Sequence, residues 1–201
     1  MRSVYQRSGI NFPPLPNTRI EVQKIGRLFP PDRRKTYLGL NATEAAVKRE
    51  RLSDYRKVHF ATHALIDDEI PARSGVVLSL VNTGQEDGIL RMPEIINLEL
   101  NADLVVLSAC QTGLGKLIQG EGMVGLTRAF MYAGTPRVAV SLWEINDLAT
   151  ADFMQAFYRQ MKTGQSPGDA LREAKLSMIR SNVPDYHQPY FWAPFVLAGL
   201  F

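Results

Sequence analysis

Residues 103–109 read Asp-Leu-Val-Val-Leu-Ser-Ala, apolar at almost every position. A strand with one wet face alternates polar and apolar residues, and this run does not. Both of its faces must therefore be covered, which is the mark of a central strand in a parallel sheet. Arg137-Val-Ala-Val-Ser-Leu-Trp143 repeats the pattern. The Glu121–Ala133 segment between them is apolar on most sides and ends at Gly134 and Pro136, so it reads as a buried helix. Two doubly covered strands joined through a helix define an α/β fold with a mainly parallel sheet. The chain has 201 residues, 45% of them apolar, so such a core needs no covalent staples.

The remaining elements follow from local signals. Gly9, Pro13, Pro14 and Pro16 punctuate residues 1–16, which read as a linker or arm. Val22, Ile25 and Phe29 give a helix from Thr18 that Pro30-Pro31 stops. Thr36 to Leu40 reads as a short strand. Asn41-Ala-Thr-Glu44 has a capping-box pattern and opens a helix to about Tyr55. Val58–Thr62 is a short strand, followed by an acidic loop from Asp67 to Gly75. Val76–Val81 and Ile89–Leu90 pair as a hairpin across the turn signals Asn82-Thr-Gly84 and Asp87-Gly88. Pro93 begins a short helix through Leu98. Met154, Phe157, Tyr158 and Met161 stripe one face of a helix from Asp147 to Lys162. Ser166-Pro167 caps a further helix to about Arg180, and Phe195–Ala198 is the last strand.

Composition excludes several classes. Cys110 is the only cysteine, which rules out a disulfide scaffold and a cysteine-built metal cluster. A net charge of +3 is too small a bias to predict nucleic acid or an anionic membrane as partner. No apolar run reaches the ~18 residues of a membrane span, and the first residues lack the apolar centre of a signal peptide. The expectation is a soluble cytoplasmic domain with a free thiol.

In a parallel sheet, sites lie at the carboxyl ends of the strands. Val58–Thr62 leads into His63, Asp103–Ala109 into Cys110, and Arg137–Trp143 into Glu144 to Asp147. A lone cysteine is ordinarily a small buried apolar residue, and an isolated histidine a structural one. A thiol and an imidazole meeting at one sheet edge supply a nucleophile and a general acid/base. The backbone N–H groups of Cys110 and Ala64 are then the natural donors to an oxyanion. His59 lies on the same strand without a third ligand for zinc and reads as structural. His187 sits in a polar loop. The glycines at 113, 115, 120 and 122 fit neither a dinucleotide fingerprint nor a P-loop, and no Gly-x-Ser-x-Gly elbow is present.

Val58-His-Phe-Ala-Thr-His63, Leu104-Val-Val-Leu-Ser-Ala-Cys110-Gln-Thr-Gly113, Gly120-Glu-Gly122, Ser141-Leu-Trp143 with Asp147, and Tyr190-Phe-Trp-Ala-Pro-Phe195 follow one another in order. This succession resembles the CHAT domain, a caspase- and separase-like cysteine peptidase module often attached to tetratricopeptide repeats. The resemblance runs from about Pro14 to Phe201. It implies a caspase-like three-layer α/β/α sandwich over residues 17–201, with the family's first strand missing. A missing strand would leave a sheet edge uncovered beside Thr36–Leu40 or Val58–Thr62. It also implies a cysteine endopeptidase with His63 and Cys110 as its dyad, using no cofactor and no metal. The two residues stand 47 apart, near the ~50 of caspases. Glu144 and Asp147 fall where related peptidases wall the pocket for the residue before the cut, so a basic side chain is expected there. Asp147 also begins a helix, where an aspartate caps the helix amides, and both roles can coexist. The implied partners are a protein or peptide substrate and a tetratricopeptide-repeat region or regulatory protein. Ala64 replaces a usual glycine, and its methyl group is expected to intrude on the oxyanion site and reduce activity. A second function stays open, that of a catalytically weak or inactive module for protein–protein interaction.

Overall fold

The computed structural model describes residues 12–80, 86–113, 121–143 and 147–200, with the backbone alone at 109–113, 121, 122 and 147. Six strands form one sheet: β1 Lys57–Ile66, β2 Gly75–Val77, β3 Ile89–Arg91, β4 Leu104–Gly113, β5 Arg137–Ser141 and β6 Phe195–Gly199. Their order across the sheet is β3-β2-β1-β4-β5-β6. The three central strands run parallel, β1 with β4 and β4 with β5. The β2–β3 hairpin joins β1 antiparallel at one side, and β6 pairs antiparallel with β5 at the other.

The continuous apolar run behaves as expected. Leu104, Val105 and Val106 are fully buried. Alternate residues serve opposite faces, as a pleated strand requires. Val105 and Leu107 pack with Phe60, Val138 and Val140 beneath α4 (Glu121–Tyr132), whose Leu126 and Phe130 meet them. Leu104, Val106 and Ala139 pack on the other face beneath α5 (Asp147–Lys162) and α6 (Pro167–Ile179). Ile25 of α1 (Thr18–Gly26) joins this second core. The result is three layers, α/β/α. Gly134 ends α4 at φ +114°, and a Cβ there would stand 2.2 Å from the carbonyl oxygen of Leu100. Only glycine fits that approach. Ser166 caps α6 by accepting a hydrogen bond from the Asp169 amide, with Pro167 at the first helical position.

Several elements differ from the sequence expectation. Thr36–Leu40 is not a strand; Gly39–Asn41 form a 3-10 turn, and Tyr37 donates its hydroxyl hydrogen to Glu50. α2 covers only Glu44–Arg49 and is capped by Thr43, whose hydroxyl accepts from the Ala46 amide. It stops because Glu50 turns extended and its carboxylate is taken by Lys35 at 2.5 Å and Tyr55 at 3.2 Å. The hairpin forms, but β2 ends at Val77, since the Ser79 amide leaves to bond Ala42. The Asn82-Thr-Gly84 turn lies outside the described residues. α3 spans Met92–Ile96. β5 ends at Ser141, where the Leu142 amide turns to the carbonyl of Pro194, just past α7 (Pro189–Trp192).

Thr36–Leu40, not being a strand, offers no sheet edge. β1 does. β4 follows its whole length on one side, whereas β2 covers only His63 to Leu65 on the other. Among the described residues, Lys57–Thr62 has no strand on that second side, and no strand precedes β1.

Candidate active site

His63 and Cys110 do not follow their strands; they lie inside them. β1 continues through Ala64, Leu65 and Ile66, which are at most 4% exposed and held between β4 and the hairpin. β4 continues through Gln111, Thr112 and Gly113, paired with those three residues. The strand ends read from sequence are corrected accordingly, because cross-strand pairing carries the polar residues that interrupt the apolar run. The register nevertheless makes His63 and Cys110 direct neighbours on adjacent parallel strands. Such backbones lie about 4.8 Å apart.

On β1, Phe60, Ala64 and Ile66 pack toward α4. The alternate residues His59 and His63 occupy the opposite face. His63 is buried at 6% exposure, with its Nε2 2.7 Å from the carbonyl oxygen of Pro13. A carbonyl only accepts, so Nε2 carries the hydrogen. The Phe12 ring lies 5.6 Å from the imidazole, centroid to centroid. Nδ1 is buried and has no hydrogen-bond partner among the described residues. A neutral His63 therefore presents its lone pair at Nδ1, with the ring clamped from the Nε2 side.

Sequence reasoning missed Pro13. The contact spans 50 residues, and a proline-rich arm carries no local mark of what it rests on. The Ala64 methyl group is fully buried in the core beneath α4, on the face away from His63. The Ala64 backbone sits between Val76 and Gln111.

Beyond β1 the chain is folded back tightly. The Asp67 amide donates to Ser74 Oγ at 2.9 Å, and its carboxylate accepts from the amides of Glu69 at 3.1 Å and Ile70 at 2.8 Å. Beyond β5, Trp143 is held by its indole N–H, which donates to the Tyr190 carbonyl at 3.1 Å, and Ser141 Oγ donates to the Trp143 carbonyl at 2.7 Å. Leu142 and Trp143 remain exposed. Glu144 lies outside the described residues. Asp147 opens α5, described there by its backbone.

The other histidines are partnered. His59 Nδ1 is 3.1 Å from the Tyr158 hydroxyl and Nε2 3.0 Å from Glu21. His187 Nε2 donates to the Ser181 carbonyl at 2.7 Å. Glu44, Glu86 and Glu94 converge, but around the Lys48 ammonium at 2.7, 2.8 and 2.6 Å, which occupies the place a cation would take.

A layered α/β/α arrangement around a sheet with a parallel centre is consistent with a caspase-like fold. The family comparison agrees: the CHAT domain pattern matches residues 3–200, and the chain belongs to that peptidase-related family. Among curated relatives, tetratricopeptide repeat protein 28 of Mus musculus and that of Homo sapiens are each 36% identical over 111 residues, 55% of this chain. The chain spans 4% of the length of each of these relatives. No helix among the described residues is long and apolar enough to cross a membrane.

Proposed function

We propose that this chain is a cysteine endopeptidase in which His63 and Cys110 act as a dyad. The observation that carries the reading is the pairing of His63 with Cys110 across β1 and β4, combined with a ring whose Nε2 is committed to Pro13 and whose Nδ1 has no partner among the described residues. Nδ1 takes the thiol proton, and the sulfur attacks the carbonyl carbon of the scissile peptide. The imidazolium then passes that proton to the leaving amine as the thioester forms. In the second half, Nδ1 takes a proton from water, which attacks the thioester and releases the acid and the thiol. No cofactor or metal enters these steps. The amides of Ala64 and Cys110 are the proposed oxyanion donors. Both residues lie within a ladder that runs on to Ile66 and Gly113. The productive state therefore requires residues 111–113 to part from β1, and a bound partner favours that opening without being needed for the dyad to form.

Residues 17–201 form the peptidase domain in this reading and residues 1–16 an arm, of which Phe12 and Pro13 clamp the histidine. Glu144 and Asp147 are assigned to the pocket for the residue before the cut, and their charge selects Lys or Arg in a protein or peptide substrate. The release signal comes from a tetratricopeptide-repeat region or partner protein, in keeping with the named relatives, and the setting is cytoplasmic. One observation favours a second reading, an inactive interaction module: His63 is 6% exposed and out of reach of a substrate in this form.

A peptide carrying a thiol-reactive electrophile separates the two. We expect covalent labelling at Cys110 that Cys110→Ala abolishes and that His63→Ala slows on the order of 10²-fold. Labelling that ignores His63→Ala would favour the interaction module.

A further inference from the structure

We propose that Glu21, His59 and Tyr158 form a buried latch that positions His63 through the Pro13 arm. The proposal rests on the dyad reading for its functional meaning, though not for its geometry.

The three side chains come from three elements, α1, β1 and α5. Glu21 and Tyr158 are each 2% exposed. Burial, and the nearby Glu21 carboxylate, push the Tyr158 phenol well above its ordinary range. A carboxylate only accepts, so His59 Nε2–H donates to Glu21 Oε1. In the neutral ring Nδ1 is then the bare nitrogen and accepts the Tyr158 hydroxyl hydrogen. Each group has one role in this arrangement, and α1 is fixed to the middle of β1.

α1 begins five residues after Pro13. Thr18 opens it and ties back to the arm by donating its hydroxyl hydrogen to the Leu15 carbonyl at 2.8 Å, while the Glu21 amide bonds Asn17. Three prolines, at 13, 14 and 16, stiffen the span between Pro13 and Thr18. The arm then lays Phe12 and the Pro13 carbonyl against His63. A closed circuit results: it leaves β1 at His59, crosses to α1 through Glu21, follows the arm to Pro13 and returns to β1 at His63. The spacing of four residues between the two histidines, on one face of one strand, is what lets a single short segment bridge them. His59 and its partners are positioning residues, since they act on the dyad only through Pro13.

The proposal makes two different measurements move together. In protein labelled with 15N at histidine, His63 should show a single Nε2–H tautomer. Glu21→Gln and Tyr158→Phe, each nearly isosteric, should loosen α1 and bring a second His63 tautomer into view. Electrophile labelling at Cys110 should fall about tenfold in the same variants, the scale of a small misplacement of a reacting group. Ser166→Ala removes a helix cap remote from the arm. It should lower stability while leaving the His63 spectrum unchanged. The latch is overturned if the His63 ring nitrogens are unaltered in folded Glu21→Gln and Tyr158→Phe, or if Ser166→Ala alters them equally. If instead wild-type labelling is indifferent to His63, the dyad reading fails, and the tautomer measurement still decides the latch.

Discussion

At the scale of single residues, the protein separates two kinds of histidine. His59 has both ring nitrogens engaged, whereas His63 has one engaged and one buried without a partner among the described residues. A buried polar atom without a hydrogen bond costs about 1–3 kcal/mol, and such costs concentrate where function uses them. Asp147 is the residue whose two roles can be parted by substitution. As a pocket wall it makes a peptide library show Lys or Arg before the cut, and Asp147→Asn weakens that preference with little loss of stability. As a mere helix-end anion it makes Asp147→Ala lower stability by ~1 kcal/mol with the preference unchanged. The two roles can coexist, and library cleavage beside denaturant unfolding reads each of them separately.

At the scale of elements, α2, α3 and the β2–β3 hairpin meet around Lys48. Burial, aided by the hydrogen bonds that the protonated Glu44 donates to Glu94 and Glu86, lifts its carboxyl from 4.5 to about 7 against the downward pull of Lys48. Its carboxylate also accepts the Gly88 amide of the hairpin at 3.1 Å. The folded chain thus holds a proton that the unfolded chain releases near 4.5. Stability from Glu44 is present below that pH and is lost as the pH rises to about 7. Lys48 holds Glu86 low, and Glu94 is held low despite its burial, so both titrate below the same window. Denaturant titrations of wild type and Glu44→Gln should show the wild type losing ground to the variant between those pH values. A difference that is constant with pH would contradict this.

The elements also show what the sequence makes legible. β4 and β5 were readable because burial on both faces leaves no polar alternation to confuse the pattern. The far ends of β1 and β4 were not, because His63, Cys110, Gln111 and Thr112 look like loop until two strands pair and carry them. Thr36–Leu40 has strand composition but no neighbour to bond, and Tyr37 is drawn to Glu50 instead. The Pro13 clamp was invisible because its partner is distant in the chain and its own residues signal only irregular backbone.

At the scale of the whole molecule, the sheet has a central parallel ladder with one incomplete flank. Among the described residues, β1 from Lys57 to Thr62 lacks a strand on the side away from β4. Unpaired strand edges recruit strands from other chains. Sedimentation velocity should therefore show reversible self-association as concentration rises; a strictly monomeric species throughout would contradict it. The layers converge on one claim, that the ladder joining β1 to β4 makes His63 and Cys110 a functional pair. Because Cys110 is the chain's only cysteine, its alkylation rate can be followed directly against pH. The account predicts that the wild-type thiol stays reactive below the ~8.5 at which an isolated thiol becomes protonated. His63→Ala should return it to the profile of an isolated thiol. Superimposable profiles for the two proteins would contradict the pairing.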